Sequence, residues 1–167
     1  MIAATEFRAR PGVALCAAMR ERGLPHIETT HPAENQNGIA VFSHTPMRRT
    51  RPCPAPSADR VRWLDIDLPG HGFGIGVLHF RAAGSSNKHP TNGAKTRFWE
   101  VVLQTAESRL QEPFLFVGDW NTGAHGLDET GRRTYAPSTS AGCRRWAGRM
   151  FGGITSPESR SIRGTRT

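Results

Sequence analysis

Asp119 and Asn121 follow the wholly apolar run Phe114–Val117 in the segment Gly118-Asp119-Trp120-Asn121. Residues two apart on an extended segment point the same way, so an acid and an amide would project together from a strand end. Their oxygens are hard ligands of the kind Mg²⁺ and Mn²⁺ take, and the amide can also donate to a phosphate oxygen. An Asp/Asn turn whose side chains cap their own backbone fits the same four residues. Glu6 repeats the pattern at the end of Met1–Phe7, where a surface or helix-entry charge is the plainer reading. His79 closes Gly76-Val77-Leu78-His79-Phe80. It reads as a structural histidine, or as a group that protonates a leaving oxygen or orients a phosphate. His125, Asp128 and Glu129 read as surface-loop residues, with substrate contact the alternative.

The elements that would carry these residues are legible in the apolar spacing. Met1–Phe7 reads as the end of a buried strand. Pro11–Arg22 reads as a helix: Leu15, Ala18 and Met19 share a face, proline suits the start, and Gly23 supplies the stop. Leu24–Thr30 and Gly38–His44 read as successive strands, separated by the turn residues Glu34–Asn37. Met47–Ser57, rich in proline and arginine, reads as a loop. Val61–Leu68 and Phe73–Phe80 read as a hairpin turned at Pro69–Gly72, and Arg81–Lys95 as a long polar loop of the kind that is often functional. Thr96–Leu110 is amphipathic through Trp99, Val102, Leu103, Ala106 and Leu110, and Pro113 breaks it before the strand Phe114–Val117. This order predicts an α/β architecture with helices outside buried sheets.

Composition narrows the class. The 167 residues suffice for one domain with a core, and the net charge of +8 suits a polyanionic partner, although a solvated arginine surplus would give the same number. Cys16, Cys53 and Cys143 are far apart, which argues against a zinc ribbon or a disulfide framework, and Cys16 reads as core. No run is long and apolar enough for a membrane span, and Met1–Arg8 lacks a signal peptide's basic start, so a cytoplasmic setting is expected. Oligomeric state is left open.

Glu, His and Asp-x-Asn at three strand ends together resemble the endonuclease/exonuclease/phosphatase family, which includes exonuclease III and deoxyribonuclease I. The resemblance spans Met1 to about Tyr135. Thr5-Glu6-Phe7-Arg8 is similar to the family's metal motif, and Asn37–Ser43 to the strand that follows it. Val77-Leu78-His79 is similar to a segment bearing a catalytic histidine, and Phe116–Asn121 to the Gly-Asp-x-Asn motif. The resemblance implies Mg²⁺ or Mn²⁺ held by Glu6 and Asp119, and catalytic roles for Asp119, Asn121 and His79. Asp119 would orient or activate the attacking water, Asn121 would hold the scissile phosphate, and Arg8 would contact substrate. The implied reaction is hydrolysis of nucleic acid or another phosphodiester. Phosphoinositides and sphingomyelin stay open as substrates, and a nonenzymatic basic nucleic-acid-binding protein or a pseudogene product are the other readings.

The implied fold is a partial two-sheet sandwich of the deoxyribonuclease I-like type, in four layers α/β/β/α. An Asn-bearing strand ahead of the Glu strand, and an Asp strand and Ser-Asp-His motif after Asn121, find no match in the sequence. Residues 1–140 are therefore expected to form an incomplete domain that lacks the first strand and the C-terminal strands, folds poorly and turns over little. Residues 141–167, with six arginines and no Leu, Val or Lys, read as a basic tail, disordered or out of frame. An alternative codon frame over Arg149–Thr167 admits a string similar to the family's continuation.

Overall fold

The computed structural model describes residues 1–49, 51–82 and 90–121, with side chains from residue 93 in the last stretch. They fall in one compact unit, Met1–Pro137. The tail 141–167, together with His125, Asp128 and Glu129, lies outside the described residues.

Among the described residues the architecture is mixed α/β with two three-stranded sheets. In the first sheet, β1 (Ile2–Phe7) and β2 (His26–Thr29) flank β3 (Gly38–Ser43), both antiparallel to it. Every residue of β3 is buried, and its alternation divides them between two clusters. Ile39 and Val41 join the apolar cluster shared with the second sheet, while Ala40 and Phe42 pack with Phe7, Leu24 and the α1 residues Leu15, Cys16 and Met19. Helix α1 spans Ala9–Glu21. It stops because Gly23 takes φ 78°, which lets the Leu24 amide donate back to the Met19 carbonyl.

The second sheet places β5 (Phe73–His79) between β4 (Trp63–Leu68), antiparallel, and β6 (Phe114–Asp119), parallel. Parallel neighbours need a crossover connection, and α2 (Pro90–Ser108) is the helix between them. Leu64, Ile66, Leu68, Ile75 and Val77 turn toward the first sheet with Val117 packed against them. Trp63, Leu78 and Phe80 turn the other way, onto Phe98 and Val102 of α2. Each such fully buried aliphatic side chain contributes about 1.5–3 kcal/mol. β1 lies over β5 and β6 and β3 over β5, so the two sheets pack face to face through the shared cluster.

Helix α1 starts two residues before Pro11 and β2 is shorter than Leu24–Thr30, and three further boundaries differ from the sequence reading near the site. A 3₁₀ helix, Ser57–Arg62, occupies what reads as loop and strand start. Such a short, tight turn has no apolar periodicity to betray it. Helix α2 begins at Pro90, about a turn and a half before Thr96, so Lys95 is helical and not in a loop. β6 runs through Asp119 itself.

Candidate active site

Parallel pairing puts the carboxyl ends of β5 and β6 at the same end of the sheet, with His79 directly opposite Asp119. Glu6 reaches this place from the other sheet. β1 bulges between Thr5 and Phe7, and Glu6 takes φ 59°, which frees it from strict alternation. Its Oε1 lies 3.9 Å from Nε2 of His79. The His79 ring feels the charges of both Glu6 and Asp119, so the two carboxylates share one corner although they are 113 positions apart in the chain.

His79 is buried, at 4% exposure. Burial, then the neighbouring Arg62 guanidinium, hold its pKa below the ordinary value, against the pull of Asp119 and Glu6. Arg62 Nη1 stands 3.5 Å from Nδ1 of His79 and donates to the His79 carbonyl at 3.4 Å. Arg62 ends the 3₁₀ helix, whose buried Asp59 lies 3.8 Å from Arg62 Nε and accepts from Arg81 at 2.7 Å. Two guanidiniums therefore share one carboxylate beside the histidine.

The Asp-Asn turn is closed on itself. Oδ1 of Asp119 accepts from the Asn121 amide at 2.9 Å, and Oδ2 accepts from Asn121 Nδ2 at 3.0 Å. The same Nδ2 donates to the Phe80 carbonyl at 2.8 Å, which ties the turn to the end of β5. This is the self-capping arrangement: both amide hydrogens of Asn121 are engaged, and one must be released before the side chain can hold a phosphate. Asn121 takes φ 46°, and Gly118, at φ 143°, approaches β5 so closely that a Cβ there would overlap the Leu78 carbonyl oxygen. Between the two site residues, Trp120 stacks on Trp99 of α2, centroids 5.1 Å apart and planes at 22°, and on Phe80 at 5.3 Å.

Arg8, next but one to Glu6 in the chain, donates from Nε to Asn37 Oδ1 at 2.9 Å on the exposed surface. Lys95 and Arg62 are the residues the sequence reading missed. Lys95 is 1% exposed and its ammonium donates to the Asn121 carbonyl. Burial pushes its pKa below the lysine value, and Asp119 works the other way. Signals for both exist: Arg62 is the next residue back from the Trp63–Leu78 pair, hence beside His79, and Lys95 stands three, four and seven before Phe98, Trp99 and Val102. A cleft of about 350 Å³ lined by Arg48, Arg51, Asp67 and Phe73 lies at the other end of the second sheet.

No protein-family model matches the chain, and no curated protein matches it. Among the described residues, no helix is long and apolar enough to cross a membrane.

Proposed function

We propose that this corner is the divalent-cation and phosphate site of a Mg²⁺- or Mn²⁺-dependent phosphoesterase of the endonuclease/exonuclease/phosphatase type, with phosphodiesters in nucleic acid as the substrate class. One observation carries the reading: Glu6, His79 and the Asp119–Asn121 turn, from two different sheets, meet at one end of the fold. The succession of α1, first sheet, second sheet and α2 supports the deoxyribonuclease I-like sandwich as the fold type.

The donor set fits the ion by its chemistry. Among the described residues no three His, Cys, Asp or Glu side chains are grouped as ligands. Mg²⁺, however, keeps several waters and commonly takes only one or two carboxylates plus substrate phosphate. Glu6 offers a carboxylate whose side chain is 67% exposed, and Asp119 keeps lone pairs beyond the two that Asn121 occupies. When bound, the ion would neutralise charge on the phosphoryl oxygens.

The chain's own groups supply the rest. Asp119 orients the attacking water by accepting its hydrogen bond. His79 donates from Nε2 to a phosphoryl or leaving oxygen, its Nδ1 being turned to Arg62. Asn121 exchanges one amide hydrogen from Asp119 to a phosphate oxygen. Arg62 and Arg81 give the corner a positive rim that attracts a polyanion.

The test is hydrolysis of duplex DNA and of bis(p-nitrophenyl) phosphate by the full chain with Mg²⁺ or Mn²⁺. Wild type should exceed Asp119→Ala by at least about a hundredfold, and His79→Ala should lose about 10²–10⁴-fold. Turnover that survives in Asp119→Ala, or equal rates with and without the cation, sinks the reading. A second reading, a nonenzymatic basic protein that binds nucleic acid by charge, is favoured by the closed Asp119–Asn121 turn. It predicts steeply salt-dependent binding with no need for a cation, unchanged in Asp119→Ala.

A further inference from the structure

We propose that Lys95 is a positioning residue, which acts from α2 through the Asn121 carbonyl to hold the Asp119–Asn121 turn in the shape that presents its carboxylate and amide. The role rests on the reading of that turn as the cation and phosphate site.

A lysine ammonium with 1% exposure is costly to bury and requires an acceptor. The acceptor here is the main-chain carbonyl of a residue at φ 46°, a conformation that side-chain-bearing residues rarely adopt. That left-handed step swings the Asn121 amide back onto Asp119 and Phe80. Helix α2 is a fixed anchor, since Phe98 and Val102 pack with Trp63, Leu78 and Phe80. Lys95 thus links the packed interior directly to the least regular backbone of the site. A lysine needed only to fill space would be replaceable by methionine, which is unbranched, nearly as long and uncharged.

The experiment uses the ¹⁵N-labelled full chain as wild type, Lys95→Met and Lys95→Arg. In wild type the Asn121 side-chain NH₂ pair should exchange slowly with solvent. Lys95→Met should speed that exchange by about tenfold or more while the backbone amides of Val41 and Val77 keep their protection. Lys95→Arg, which retains a cation and donors, should restore most of it. Three results overturn the proposal. In the first, exchange at Asn121 is unchanged in Lys95→Met. In the second, Lys95→Arg is as perturbed as Lys95→Met. In the third, protection is lost uniformly at Asn121, Val41 and Val77, which would make Lys95 a determinant of the whole fold.

A parallel arm titrates Mn²⁺ alone, with free ion followed by electron paramagnetic resonance. Lys95→Met should weaken binding by about tenfold, with recovery in Lys95→Arg. A wild-type chain that binds no Mn²⁺ overturns the cation reading, and the exchange arm then decides on Lys95 by itself.

Discussion

At His79, burial and the Arg62 guanidinium hold the folded ring neutral at a pH where the unfolded ring takes a proton. The unfolded chain then binds more protons than the folded one, so stability falls as pH drops below about 6.5, and the loss is complete below the folded value. Urea midpoints measured between about pH 7.5 and pH 5 should fall in wild type and fall less in His79→Gln. Identical slopes would mean that the ring is not held neutral. Glu6 is the opposite kind of residue, exposed and locally irregular. Its motif is plain in the sequence, but strict alternation along β1 misassigns its face, because the bulge between Thr5 and Phe7 depends on pairing with β3.

At the scale of elements, the strands and both helices could be read from apolar spacing, since β3, β4 and β5 each bury a continuous or alternating set. The early start of α2 could not, because its first turns are polar and only tertiary burial of Lys95 makes them part of the core. Sheet order was equally hidden: nothing local says that β6 pairs with β5 in parallel. The far end of α2 holds another buried polar link. Arg109 donates to Asp65 at 2.7 Å, Trp63 Nε1 donates to the same carboxylate at 2.7 Å, and the guanidinium lies over the Phe114 ring at 4.3 Å. Arg109→Met leaves a buried carboxylate without its counter-charge and should cost about 3–5 kcal/mol in denaturant unfolding. Adding Asp65→Asn should recover part of it, because the amide oxygen still accepts from Trp63. No recovery in the double variant would locate the cost in lost packing against Phe114.

For the molecule as a whole, β1 and β6 are, among the described residues, outer strands on the same side of the two sheets. Each presents an exposed aliphatic side chain there, Ile2 at 45% and Leu115 at 53%. An outer strand with apolar residues invites edge-to-edge association. Leu115→Lys should therefore reduce light scattering at equal concentration while changing stability by no more than about 0.5 kcal/mol. Scattering that persists unchanged would show that the flank is not where copies meet. The net charge of +8 opposes that association by repulsion, and added salt weakens the repulsion. The pairing of Trp99 with Trp120 has a practical consequence. Two indoles 5.1 Å apart share their electronic excitation, and one of them is flanked in sequence by Asp119 and Asn121. The protein thus carries its own optical gauge beside those residues, and any rearrangement of the turn would register in its ultraviolet spectrum with no dye attached.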